Sequence, residues 1–432
     1  MRAGLALVAV CAAVAVLPPA ASPAGGWCGG SQELAADRLP DAVAGQQIHV
    51  VYALPSDGPD AFTGDAPLVV SDLGALDAWW RREDPTRTPR FDLAAFPGCP
   101  AGVAALDLSS VRLAHDSDWY RPIDGRSDRI RADLAATFSN PAKKYLVYYD
   151  GPVDVAFDCG QSAIAPDTGG PDAYSFVYLQ ADGCTHDLGA GGGVAGYVAH
   201  ELLHNLGAVP DAAPHICFEH SVCDWYWDVE TQFPTGDPIA KLVLDYGRDD
   251  YYGHAGSWFD VKGSPWLSHV GAPTFELAVS LAGRGHGSVA SDLPGIECGA
   301  ACSIAWEQGA RVVLRATAAP GSRFLRFGGD CTGTDCSPTM DGPRSVSATF
   351  APATVRLTVS VSGRGTVGSS PAGISCPRRC STSFPSGGTV RLSARAARGW
   401  RFARWSGACR GRDACTVFED DDRRVTASFR RR

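Results

Sequence analysis

The stretch Val198-Ala-His-Glu-Leu-Leu-His-Asn-Leu-Gly207 holds the residues best suited to chemistry. His200 and His204 are four apart, so on a helix of about 3.6 residues per turn their imidazoles share one face. Two imidazoles with Glu201 between them suit a divalent zinc ion and the water it activates, the carboxylate serving as general base. Chance is a poor explanation: at this His and Glu content, about 0.005 such matches are expected in a chain of this length. The flanks favour a helix. Val194, Ala195, Tyr197, Val198, Ala199, Leu202, Leu203 and Leu206 surround the polar trio, Gly207 provides a C-terminal stop, and Pro210 opposes continuation.

This stretch resembles the metzincin group of zinc metallopeptidases, whose HExxHxxGxxH signature bends at the glycine and brings back a third ligand. Gly207 stands where that pattern puts it, and Pro210 occupies the place of the third ligand. With residues 210–214 looped out, His215 is expected to complete the set His200, His204, His215. Asp211 is its rival, or an acceptor for a ligand imidazole; Glu219 and His220 are further candidates. The resemblance also implies a methionine turn beneath the metal. The two methionines, Met1 and Met340, cannot supply it, so Asp224-Trp-Tyr-Trp-Asp-Val-Glu230 is expected to form an aromatic floor instead. Tyr226, Tyr251 and Tyr252 are candidates to steady an oxyanion. Asp249 and Asp250 are candidates for a distant metal contact, with a turn, calcium (Ca2+) or hydrogen bonding as their alternative duty.

The elements that must position these groups have a mixed pattern. Strands are expected at 47–54, 103–113, 144–149 and 173–180, and helices at 68–82 and 125–137. Helices on one twisted mixed sheet, followed by a metal-binding helix, make an α+β arrangement, compatible with the zincin-like catalytic domain that the resemblance implies. By the same resemblance, Ala173–Gln180 is expected to be the sheet edge that receives extended peptide.

The amino terminus reads as a signal peptide: Arg2, an apolar run from Ala3 to Leu17, then small residues up to Ala24. No later stretch approaches the roughly 20 apolar residues of a membrane span. Of fifteen cysteines Cys11 lies in that leader, leaving an even number for disulfides in an exported chain. Cys217 is expected to pair with Cys223 and Cys159 with Cys184, leaving Cys28 with Cys99. Lysine occurs only at 143, 144, 241 and 262, which reads as a bias of codon composition.

The last third repeats itself. Arg323-Phe-Leu-Arg-Phe-Gly-Gly-Asp-Cys331 recurs as Arg401-Phe-Ala-Arg-Trp-Ser-Gly-Ala-Cys409, and Ser345-Val-Ser-Ala-Thr-Phe350 as Arg424-Val-Thr-Ala-Ser-Phe429. An offset of 78 to 80 residues suits two small domains, each with alternating strands and four cysteines. They resemble the bacterial surface repeats related to internalin B-repeats, which implies attachment or spacing. The two copies differ in charge: residues 271–351 carry six Arg and seven acids, residues 352–432 sixteen Arg and five acids.

The expected organisation is a signal peptide at 1–24, a zincin-like metallopeptidase domain at 25–270, and β-rich modules at 271–351 and 352–432. The expected function is that of a secreted, monomeric, zinc-dependent metalloendopeptidase. It would use one catalytic Zn2+ and Glu201 as base, act on protein or peptide, and tether to an anionic cell-wall or matrix polymer through 352–432. The alternatives are an inactive zincin-like domain in a secreted adhesion protein, and a zinc hydrolase acting on sugars or amidated wall peptides.

Overall fold

The computed structural model describes residues 34–96, 104–189, 191–217, 220–231, 236–385, 387–419 and 422–432. The expected leader and the Cys28–Cys99 pair lie outside them. The fold is mixed α+β, with β-rich units in the carboxy-terminal third.

A five-stranded sheet organises the first part, in the order Leu108–Arg112, Gln47–Leu54, Lys143–Pro152, Tyr174–Gln180, Gly160–Ser162. The first four run parallel, and Gly160–Ser162 closes the edge antiparallel. Every residue of Gln47–Leu54 is buried, as a strand covered on both faces requires. One face carries Phe62–Glu83 and Gly193–Leu206, which pack on each other. Tyr174–Gln180 is therefore an interior strand, not the expected edge. The edge is the three-residue Gly160-Gln-Ser162, which lacks the β-branched and aromatic residues that mark a strand.

Lysines 143 and 144 are structural. Neighbours on a strand point to opposite faces, and both side chains are buried. Lys143 Nζ donates to Asp37, Asp41 and Asp92 at 2.6–2.8 Å, and His49 bridges Asp92 and Ser109. On the other face, Lys144 Nζ donates to the carbonyls of Ala165, Thr168 and Asn205 and lies 4.2 Å from the Trp266 ring centroid. It thus places an N–H donor at the C-terminus of Gly193–Leu206, where backbone carbonyls lack helical partners, and burial lowers its pKa to about 7.

The last third holds two further cores. One contains Leu277, Trp306, Phe327 and Phe350, the other Leu357, Phe384, Trp405 and Phe429. Each lies between a sheet containing a parallel strand pair and a smaller or equal antiparallel sheet. Short-range disulfides join 298–302 and 331–336 in the first, 376–380 and 409–415 in the second. Arg90 braces the first core's unit to the amino-terminal part: Nη2 meets Glu307 at 2.7 Å, and the same guanidinium donates to the carbonyls of Gln46, Pro265 and Leu267. Among the described residues, no helix is long and apolar enough to cross a membrane.

Candidate metal centre

Gly193–Leu206 is buried along its whole length, so its polar residues face protein rather than bulk water. Asp187 Oδ1 accepts from the Gly193 N–H at its start, and Asp72 accepts from Gly189 and Gly191 just before it. At its end Gly207 takes φ +100° and donates toward the carbonyls of Leu203 and His204. A Cβ there would also meet Pro166 at 2.6 Å and Phe259 at 2.8 Å, so glycine is required by conformation and by space. Two residues on, buried Val209 sits at φ +52°, a strained setting for a β-branched side chain.

His200 and His204 turn their Nε2 atoms toward each other, 3.1 Å apart. The Nδ1–H of His200 donates to the Val229 carbonyl at 2.8 Å, which leaves its Nε2 with a free lone pair. Burial lowers the basicity of both imidazoles, and His200 and then His220 lower that of His204 further. Neutral imidazole is the form that binds metal.

The third group is Glu230. Its carboxylate is fully buried, with Oε2 3.2 Å from His204 Nε2 and 3.5 Å from His200 Nδ1. Among the described residues neither oxygen has a hydrogen-bond partner, and the Nδ1 of His204 also lacks one. Burial pushes its pKa well up, and Asp228 and Glu201 add to the shift. An unbonded buried carboxylate is costly without a cation. Ligand bonds of about 2.0–2.1 Å in a tetrahedron give edges of about 3.3 Å, close to the 3.1 and 3.2 Å found here. The residues present fit a zinc-sized cation.

His215, expected in this position, lies elsewhere. Its backbone N–H and its Nδ1 both bond Asp250, at 2.8 and 3.0 Å, and Asp224 and Asp249 stand 4.0 Å away. These contacts hold the loop after Pro210 outward and, with the Asp250 hydrogen bond leading, raise the basicity of His215. Asp211 is also outside the group, exposed and 3.4 Å from His220. Glu219 is outside the described residues.

The segment Asp224–Glu230 does lie at the histidines, but it brings a carboxylate where an aromatic floor was expected. Its shape comes from Asp228, which accepts from the Glu230 N–H, the Tyr246 N–H and the Tyr251 hydroxyl. Asp245 in turn accepts from the N–H groups of Asp250, Tyr251 and Tyr252. Tyr251 and Tyr252 are buried in this scaffold, whereas Tyr226 remains exposed. In the sequence Glu230 carries no ligand spacing to His200 or His204, and only its place at the end of Asp224–Glu230 points to it.

Glu201 points from the same helix toward the edge strand. A Cβ on Gly160 would lie 2.5 Å from its Oε1, and the Ser162 and Ser175 hydroxyls donate to its backbone carbonyl. Burial raises its carboxyl to about 8, with Ser162 opposing the shift and Asp158 adding to it. The Cys159–Cys184 disulfide pins the residue before Gly160, and Cys217–Cys223 closes the loop before Asp224. A second cluster, Asp37, His49, Asp92 and Asp107, also has ligand spacing. There the Lys143 ammonium already supplies the cation.

Comparison with known proteins locates the repeats. No curated protein matches the chain. Among solved structures, the Bacillus anthracis TIE protein aligns at 6% identity and TM-score 0.23, over 36% of this chain and 33% of that one. Wild-type OgpA from Akkermansia muciniphila aligns at 10% identity and TM-score 0.28, over 90% of this chain and 97% of that one. Catalytically inactive OgpA bound to an O-glycopeptide, glycodrosocin, aligns at 10% identity and TM-score 0.26, over 92% and 99%. Superpositions this loose carry no argument about fold or activity. Residues 277–354 and 355–432 each match the family model described as a divergent InlB B-repeat domain, in keeping with the internal repeat.

Proposed function

We propose that the chain is an exported zinc-dependent endopeptidase whose metal is held by His200, His204 and Glu230. The observation that carries this reading is the pair of neutral imidazoles facing each other at 3.1 Å beside an unbonded, buried carboxylate, with Glu201 next to His200 on the same helix. Bound there, zinc supplies the Lewis acidity that makes water acidic near neutral pH and polarises the scissile carbonyl.

The chain's own residues do the rest. Val229 fixes the His200 tautomer through Nδ1. Glu201 takes the proton of the attacking water and passes it to the amine nitrogen as the C–N bond breaks. A neighbouring cation favours its ionised form, against the burial that raises it. Among the described residues the strand Gly160–Ser162 pairs on one side only, leaving an edge beside Glu201 to which an extended peptide can add. Of the three candidate tyrosines only Tyr226 is exposed, so it is the one proposed as donor to the oxyanion. The disulfides fit an oxidising, extracellular setting.

The test is metal analysis together with peptide-library cleavage by the wild type and Glu201→Gln. One zinc per chain in both, with cleavage only by the wild type, supports the reading. Cleavage by both proteins, or zinc in neither, overturns it.

A further inference from the structure

The two repeat units offer an internal control for what folding requires, because one fold appears twice with different surfaces. In the last unit, the strands Thr354–Ser362, Arg423–Arg431 and Trp400–Gly407 are neighbours in one sheet. Leu357, Val359, Val425, Ala427, Phe429, Phe402 and Trp405 turn inward to the core. The alternation therefore turns Arg356, Arg424, Arg430, Arg401 and Arg404 outward, and all five are exposed.

The register aligns each with a position in the first unit. Arg401 stands directly opposite Arg430, and Arg404 opposite Ser428; in the first unit Arg323 faces Ala351 and Arg326 faces Thr349. Arg424 faces Thr358 where the first unit has Ser345 facing Ala278. Arg356 faces Ser383 where the first has Glu276 facing Ala305. The five aligned positions thus hold five arginines in one copy, and two arginines with one glutamate in the other.

Folding does not ask for this. Like charges directly opposite on paired strands oppose the pairing, and Arg401 with Arg430 is such a pair. Among the described residues none of the five guanidinium groups is in an ion pair. Arg356 Nε donates to the Ser381 hydroxyl, and its N–H donates to Asp422 at the rim. Among the described residues the face has no exposed ring: Phe402, Phe429 and Trp405 pack inside, and exposed Phe418 belongs to the other sheet. Nucleic-acid bases would find no aromatic platform there among the described residues. Arg401 and Arg430 are cross-strand neighbours, about 5 Å apart at the backbone, and Arg424 stands six residues, about 20 Å, from Arg430 along the same strand. Guanidinium forks set out along a face in this way suit the repeated oxyanions of a linear chain.

We infer that this face, formed by Arg356, Arg401, Arg404, Arg424 and Arg430, binds an anionic glycopolymer and so tethers the chain to it. The inference stands independently of the peptidase reading. Phosphate and carboxylate polymers share the required chemistry, and the probes separate them: a poly(glycerol phosphate) and a polygalacturonate of similar length, with single-stranded DNA beside them.

The experiment measures binding of the full chain to each probe as salt rises from 0.05 to 0.5 M. Two variants accompany the wild type, each with five Arg→Gln substitutions. One replaces the five arginines of the face. The other, matched in charge, replaces Arg364, Arg378, Arg391, Arg395 and Arg398, which are exposed elsewhere on the unit. Thermal unfolding establishes that both are folded. The wild type should bind at least one glycopolymer, weaken as salt rises, and exceed its affinity for DNA. The face variant should lose at least about tenfold at 0.1 M salt with a shallower salt slope, and the control less than about threefold. Equal losses in the two variants, tighter binding to DNA, or no binding of either glycopolymer by the wild type overturns the inference.

Discussion

Gly160 lies against Glu201: a Cβ on the glycine would sit 2.5 Å from the carboxylate oxygen Oε1 and 2.6 Å from Cγ. The edge strand and the proposed base thus share one volume, and only a residue without a side chain leaves both in place. Gly160→Ala should displace the Glu201 carboxylate, lowering kcat by about tenfold or more while zinc content stays at the wild-type level. Steady-state kinetics with metal analysis checks both halves.

Glu230 and His215 make opposite predictions. Glu230→Ala should weaken zinc binding by at least about 100-fold, since it removes a ligand and leaves a cavity lined by imidazole. His215→Ala should leave zinc affinity within about threefold, because its partners are Asp250, Asp224 and Asp249. Competition with a chromogenic chelator measures both. The reverse order would return the third ligand to His215.

Glu201→Gln keeps the shape of the side chain and removes its basicity. Peptide cleavage should fall by about 10²- to 10⁴-fold, the range for a general acid–base group, with zinc retained. Single-turnover cleavage of a fluorogenic peptide reads the chemical step.

The Arg90–Glu307 contact should respond to acid. Arg90 leads the interactions that hold the Glu307 carboxyl below its ordinary value, against the burial that would raise it. The folded form therefore binds the proton less readily than the unfolded form does. The contact's contribution is fully present above the ordinary value near 4.5 and fades as pH falls through the lower, folded one. Glu307→Gln should thus melt at a lower temperature than wild type at pH 7, and the gap should narrow below pH 4. Calorimetric scans at the two pH values test this.

Much of the site was legible where it is local. His200, Glu201, His204 and Gly207 belong to one helix and its cap, so spacing alone places them. Glu230 was not legible in the same way. It is brought in by Asp228, Tyr251 and Asp245, whose hydrogen bonds span a loop that no periodicity encodes. The methionine expected from the resemblance drew attention to the right segment but to its aromatic residues. Gly160–Ser162 is too short and too polar to announce itself, while Tyr174–Gln180 has the composition of a strand and lies inside. The roles of Lys143 and Lys144 leave no local signal, because their acceptors are distant in sequence: Asp37, Asp41 and Asp92 for one, and backbone carbonyls for the other.

Given the proposed ligand set and export, the scaffold around Asp228 also implies an order of events for the newly made chain. The helix can present two imidazoles as soon as it forms, but Glu230 arrives only when the loop that ends at Tyr252 has closed. Closure carries an entropic cost that the Asp228, Tyr251 and Asp245 hydrogen bonds must offset. A chain still in transit would offer two nitrogens, a weak ligand set, and would gain its third only after compaction. Metal capture would then follow folding, so a threading polypeptide would carry no working catalyst past its own exposed peptide bonds.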